Sequence, residues 1–223
     1  MAIALLTNAI SGSTPGPNTT AAVDTTGAVL LVLGMSSISG NTLPTITDNK
    51  AGNTWNLINT KGASDGSNVR TALYYCIPVS VGAGHTVTAT GGTGFPNLTL
   101  SVWSGTAAAS SLDQSNVTVV NSTTGQTGNI TPTQNDELII TFMAGSDGGS
   151  NFPSSTTINS GMTKIGSIAG FGQQQAYVVQ GPAAAINPTW TWTPSLTANM
   201  HIASFKNASP SSSATFPALR VAA

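Results

Sequence analysis

Seven carboxylates, two histidines and one cysteine are the residues from which this chain could build an acid, a base, a nucleophile or a metal site. The acids are Asp24, Asp48, Asp65, Asp113, Asp136, Glu137 and Asp147. Glycosidic cleavage needs two carboxylates flanking one bond. Here the one glutamate follows Asp136 at the entrance to an apolar run, which reads as a solvated turn. One cysteine and two distant histidines, His85 and His201, cannot make a zinc site. Asp48-Asn49-Lys50-Ala51-Gly52-Asn53 offers oxygen ligands around a glycine but lacks the acidic end of a calcium loop. Gly91-Gly92-Thr93-Gly94 lies between strand signals, with no helix after it to hold a phosphate. These residues predict no catalytic, cofactor or metal site and therefore no enzyme. Cys76, inside an apolar strand, reads as a packing residue.

Two other groups could bind rather than react. Trp190 and Trp192 lie two apart on one strand face, as in a two-ring sugar platform. Val87 and Ala89 take the same places in an earlier, similar segment and are apolar, which favours a core role for the pair. At the C-terminus, Phe216, Leu219 and Val221 make a short apolar stretch after a Ser/Pro-rich linker. They suggest an arm that adds to a neighbouring subunit.

The elements that position these residues are strands. No segment holds a helical period, and short apolar or alternating runs recur between turn residues. Strands are predicted near 3–10, 20–24, 28–36, 43–47, 54–59, 70–77, 85–90 and 97–104. A second set is predicted near 116–122, 127–131, 137–144, 155–158, 162–168, 173–180, 188–193 and 199–206. The sets resemble each other. Val29–Met35 reads like Leu138–Met143, Thr71–Pro78 like Gln175–Pro182, His85–Thr90 like Pro188–Thr193, and Leu98–Trp103 like Met200–Phe205. The offsets stay near ~100–110 residues, in the manner of an internal repeat. The expected fold is an all-β sandwich, jelly-roll-like, built from two quasi-repeats (about 1–112 and 113–208), with an extended arm over 209–223. Two tandem immunoglobulin-like lobes are the alternative.

Composition narrows the partners. Only 6% of the 223 residues are charged, and 39% are hydrophobic. An average soluble domain carries about 25% charged residues. Six basic residues against seven acidic ones leave no basic stripe for nucleic acid. A nearly neutral surface favours association. The Met1–Leu6 stretch lacks the basic residues of a signal peptide and is too short to span a membrane. A chain without disulfides suits folding in a reducing cytosol.

Several stretches together resemble a known β-sandwich family. They are Asp48-Asn49-Lys50-Ala51-Gly52-Asn53-Thr54-Trp55, Leu73-Tyr74-Tyr75-Cys76, Val81-Gly82-Ala83-Gly84-His85-Thr86-Val87-Thr88 and Val102-Trp103-Ser104-Gly105. Leu112-Asp113-Gln114 and Gly128-Asn129-Ile130-Thr131-Pro132-Thr133 continue the likeness. The family occurs in tailed bacteriophages and as modules of bacterial surface proteins. The resemblance implies a virion or surface role with no catalytic residues. The expected function is a bacteriophage virion structural protein, a capsid decoration protein that stabilises the shell through subunit contacts. It would fold in the host cytoplasm and sit on the virion surface. Its partners would be the major capsid or another virion protein and further copies of itself, with a glycan as a possible addition and no membrane. The alternative is a carbohydrate-binding module of a phage tail or bacterial surface protein, placed outside the cell.

Overall fold

A computed structural model of the chain describes residues 1–12, 15–38, 42–62, 69–92, 94–146, 153, 155–168 and 172–208. The proposed arm, with Phe216, Leu219 and Val221, lies outside the described residues, as do Asp65 and Asp147. The described residues form strands and no helix. The fold is an all-β sandwich.

The first set contains β1 (Ala4–Ile10), β2 (Asn18–Thr19), β3 (Leu30–Ile38), β4 (Thr45–Asp48), β5 (Asn56–Gly62), β6 (Val69–Cys76), β7 (Val87–Thr90) and β8 (Phe95–Ser104). The second contains β9 (Leu112–Gln126), β10 (Glu137–Ser146), β11 (Thr157–Ile158), β12 (Thr163–Ile168), β13 (Gln173–Gln180) and β14 (Thr189–Phe205). In the first set the main sheet runs β1-β8-β3-β6-β5 and a small sheet runs β2-β7-β4. The antiparallel pairs β1 with β8, β2 with β7 and β3 with β6 are nested. Nested pairs split between two sheets make a jelly roll. The fifth strand departs from that scheme, pairing with β6 on the main sheet.

The second set repeats this order. β9 pairs β14, β14 pairs β10, β10 pairs β13 and β13 pairs β12. β9 and β14 each serve twice: Thr124–Gln126 and Thr189–Thr191 pair with each other and, with β11, form the second small layer. The expected separate strands at 188–193 and 199–206 are thus parts of one long β14. The strand expected over 127–131 is reduced to a bridge between Ile130 and Ile186, because β9 ends at Gln126 and Gly128 takes φ 92°.

Register refines the sequence correspondence. Leu30 and Leu138 hold the same place, opposite Trp103 and Phe205 respectively. The structure therefore matches Leu30, rather than Val29, with Leu138. Tyr75 matches Tyr177, since they pair with Val32 and Ile140. The bridge of Val23 to His85 matches that of Ile130 to Ile186. Ala89 matches Trp190, each paired with an isoleucine, Ile46 or Ile158. Even a bulge is kept: β1 carries one between Leu5 and Thr7 opposite Trp103 and Val102, and β9 carries one between Leu112 and Gln114 opposite Phe205 and Ser204.

β3 and β10 are apolar on both faces because both faces are covered. Leu31, Leu33 and Met35 pack with Val87 and Ala89 of the first small sheet. Leu30 and Val32 pack against Leu138, Ile140 and Phe142 of the second main sheet. On the far side, Met143 and Met200 pack with Trp190 and Trp192. The order of layers is small sheet, main sheet, main sheet, small layer.

The two main sheets meet about a pseudo-two-fold axis. Trp103 meets Tyr177 edge-on with ring centroids 4.7 Å apart, and their counterparts Phe205 and Tyr75 meet at 6.0 Å. Gly34 and Phe142 are also counterparts, and they face each other: a Cβ on Gly34 would lie 2.7 Å from Phe142 Cγ. Reciprocal contacts of this kind define an isologous interface, here between two halves of one chain.

Candidate functional site

The described residues gather their polar chemistry in three places. The first is the loop end of the first half. Asp48 closes β4, and its Oδ1 accepts the Lys50 N–H at 2.8 Å while its Oδ2 accepts the Trp55 Nε1–H at 2.8 Å. Asn53 reaches the opposite loop: its Oδ1 accepts the Val79 and Ser80 N–H groups at 2.9 and 3.1 Å, and its Nδ2 donates to Ser80 O at 3.0 Å. Asn49 and Lys50 donate to the carbonyls of Gly84 and Ala83. His85 lies beneath, wholly buried, with Nδ1 2.9 Å from Thr25 Oγ1 and Nε2 3.5 Å from Asp48 Oδ1. Burial lowers its pKa against the opposing pull of Asp48.

A hydroxyl, an imidazole and a carboxylate in line resemble a hydrolase relay. This one has no open face. Thr25 is as buried as His85, and its hydroxyl oxygen already accepts the Gly82 N–H at 3.0 Å. The cluster ties the 24–27, 48–55 and 79–86 loops together. It includes residues from two of the stretches on which the sequence resemblance was drawn, Asp48–Trp55 and Val81–Thr88. The Asp48 oxygens accept hydrogen bonds from Lys50, Asn53 and Trp55.

The second place is a carboxylate pair in the second half. Asp113 Oδ2 accepts the Thr133 N–H and Oδ1 accepts its hydroxyl, both at 2.8 Å, and Lys206 Nζ stands 3.3 Å from Oδ1. Glu137 Oε1 accepts the Thr133 and Gln134 N–H groups at 3.2 and 3.1 Å. Glu137 is fully buried, which corrects the solvated turn expected for it. Burial first, then the charge of Asp113, hold its pKa above the usual carboxylate range. Burial also acts on Asp113, but the Thr133 hydrogen bonds and Lys206 outweigh it and lower its pKa. Glu137 therefore keeps its proton to higher pH than its neighbour. No positions in the first half correspond chemically: register puts Leu6 and Val29 where Asp113 and Glu137 stand.

The third place is the polar end of the interface between halves. His201 is fully buried, with Nε2 2.7 Å from Thr71 Oγ1 and Nδ1 2.5 Å from Asn59 Oδ1. The arrangement assigns the proton to Nδ1, with Thr71 donating to Nε2. Its pKa is pushed down to about 3 by burial. The dyad maps this contact onto Gln173 and Thr99, where Gln173 Nε2 donates to Thr99 Oγ1 at 2.7 Å. Ser36 adds a hydrogen bond to Gln173 Oε1 at 2.6 Å.

Trp190 and Trp192 are 0% and 2% exposed, so they offer no ring face to a sugar and belong to the core. Val87 and Ala89 are buried as expected. Cys76 is buried, and its thiol is pushed up to about 11, chiefly by desolvation, which leaves it inert as a nucleophile.

The surface is different in kind. On the outer face of the first small sheet, Thr19, Thr88 and Thr47 stand in one cross-strand row. On the second, Thr124, Thr191 and Thr157 do the same. Thr19 and Thr88 share a hydrogen bond at 2.9 Å, as Thr157 and Thr191 do at 2.5 Å. An open depression of about 350 Å³ lies at one end of the sandwich, lined by Met1, Ala2, Ile3, Asp136, Val179 and Asn207. Neither surface was singled out by sequence reasoning; the alternating Thr-x-Thr runs were the available signal for the first.

No family model matches the chain, and no curated protein is similar to it. Among solved structures, that of HutD from Pseudomonas fluorescens SBW25 (formate condition) is similar over 89% of this chain and 99% of its own, at 10% identity and a TM-score of 0.28. A likeness that low bears on neither the fold nor the function of this chain.

Proposed function

We propose that this chain is a structural protein of a bacteriophage virion that decorates the shell and stabilises it through subunit contacts, without catalysis. One observation carries the reading. The side chains best suited to chemistry (His85, His201 and Glu137) are fully buried and committed to bonds that hold loops and halves together. What faces solvent on the small sheets is rows of threonine, which carry no charge. A protein that binds the assembled shell and not its dissociated subunits shifts the balance toward the shell by mass action. The resemblance to tailed-phage and surface-protein sandwiches supports the same role. The carbohydrate-binding alternative loses its tryptophan pair to the core.

The test is a shell-stability measurement. Undecorated capsids are heated with increasing amounts of the purified protein, and their disruption temperature is followed by light scattering. The reading expects a rise that saturates at a fixed ratio of protein to shell subunit. A disruption temperature independent of the added protein rejects it.

A further inference from the structure

An amine and two carboxyl groups meet where three neighbouring strands begin or end. Asp113 lies on β9, Glu137 opens β10, and Lys206 directly follows β14, which runs between them. Leu138 pairs with Phe205, and both belong to the core between the halves. Side chains alternate along a strand, so Glu137 and Lys206, one step away, turn to the opposite face. Asp113 is the extra residue of the bulge between Leu112 and Gln114, and a bulge re-aims the side chain it carries. The backbone of Lys206 is fixed on both sides: its N–H donates to Ser111 O and its carbonyl accepts the Ala107 N–H, each at 2.8 Å.

The geometry goes beyond a surface ion pair. Lys206 Nζ stands 3.3 Å from Asp113 Oδ1, beside the carboxyl carbon that bears it, and the Asp113 side chain is only 5% exposed. The Thr133 N–H holds the other oxygen, Oδ2, at 2.8 Å, as a donor would hold a developing oxyanion. The same N–H lies 3.2 Å from Glu137 Oε1, so one donor bridges the two carboxyl groups. Glu137 Oε2 is buried without a well-formed hydrogen bond. Burial, then the charge of Asp113, favours a proton on Glu137.

The fold does not require this trio. In the first half, register puts Leu6, Val29 and Ser104 at the places of Asp113, Glu137 and Lys206. That half keeps the bulge and the strands with no amine and no acid among the three. The trio is an addition to a scaffold that is complete without it.

We infer that Lys206 and Asp113 join through an amide bond between Nζ and Cγ, with Glu137 relaying the protons. Lys206 first passes a proton to Asp113 Oδ1, giving an amine beside a carboxylic acid. Nζ attacks Cγ, and Oδ2 takes the electron pair together with the proton of Glu137. Nζ then returns a proton to Glu137. The tetrahedral carbon, now bearing two hydroxyl groups and the nitrogen, expels Oδ1 as water, with the Oδ2 proton passed to it through Glu137. One N–C bond forms, one C–O bond breaks, one water leaves, and Glu137 ends as it began, with no oxidant or reductant. Holding amine and acid together removes much of the entropic part of the barrier. The first transfer works against the Thr133 hydrogen bonds that keep Asp113 charged, so it paces the reaction. The step happens once per chain and stands apart from the virion reading. Its product ties β9 to β14 and constrains the unfolded chain as any internal cross-link does.

Intact-mass and peptide mass spectrometry of the full-length protein test it. The folded protein is incubated until its mass no longer changes and is then denatured and digested. The main species should be lighter than the sequence by one water. Trypsin should fail to cut after Lys206, and a branched peptide should join Lys206 to Asp113. Lys206→Arg and Glu137→Gln should each carry the full sequence mass, with circular dichroism showing that the strands are kept. The wild-type mass and peptide map decide the bond whether or not the variants fold. A folded wild-type protein of full mass that is cut freely after Lys206 overturns the proposal. Water loss without a branched peptide, as in a succinimide ring, overturns it too. A bond formed equally well in Glu137→Gln overturns the relay.

Discussion

Gly34 and Phe142 hold the same position in the two halves of the chain, and the ring of one fills the space left by the missing side chain of the other. Near a two-fold axis a position meets its own counterpart, so two large side chains would collide there. The chain resolves this by making the pair unequal.

Gly34→Ala should therefore destabilise the protein by about 1–3 kcal/mol through overpacking against a ring held on both sides by the sheet. Combining it with Phe142→Leu should recover part of the loss. Urea denaturation of the four proteins gives the coupling energy directly, and a pair this close should not be additive.

Trp190→Ala and Trp192→Ala should each cost about 3–5 kcal/mol of stability, as large-to-small changes in a packed core do. In the wild-type protein their fluorescence should resist an aqueous quencher. Efficient quenching would place them at the surface and revive the sugar platform.

His201 makes the interface between halves sensitive to acid. Its folded pKa of about 3 lies below its unfolded value of 6.5, so the unfolded state binds the proton first as pH falls. The stability owed to the neutral ring is complete above pH 6.5 and is lost as pH falls from there toward about 3. The slope this adds is at most about 1.4 kcal/mol per pH unit. His85, also lowered by burial, acts in the same direction, and Glu137, raised by burial, acts in the opposite one. The contribution of His201 is isolated by the difference between wild type and His201→Gln in denaturation midpoints measured across that window. The variant should show the shallower dependence.

Asp48→Ala removes the acceptor for Lys50 N–H, Asn53 Nδ2 and Trp55 Nε1 together. Leaving such donors unpaired costs about 1–3 kcal/mol each where they stay dry. Melting temperature should fall. Hydrogen exchange at Val79 and Ser80, whose N–H groups Asn53 holds, should quicken more than exchange in β3.

Much of this architecture is legible in the sequence because strands with one or two buried faces must show it in their residues. The double apolar run of Leu30–Met35 signals a strand covered on both sides, and the covers are there. The repeat is legible for the same reason: what both halves retain is core. Register was less so. A Thr-x-Thr-x-Thr run matches itself after a two-residue slide, and the His85–Thr90 segment slid by that amount without changing its faces. The dyad was not legible, because the contacts of Trp103 with Tyr177 and of Phe205 with Tyr75 depend on how two sheets stack. Glu137 misled for a related reason. Beside Asp136 it looks solvated, and only the chain's return brings Asp113, fixed by the Thr133 hydroxyl, up to it.

The proposed structural role on a virion is tested most directly by quantitative mass spectrometry of virus particles purified from a culture that produces this chain. The account predicts the full-length protein in the particles at a fixed, multiple-copy ratio to the major shell protein, retained through density-gradient purification. Its absence from the particles, with the protein recovered only in the soluble or secreted fraction, would contradict the account.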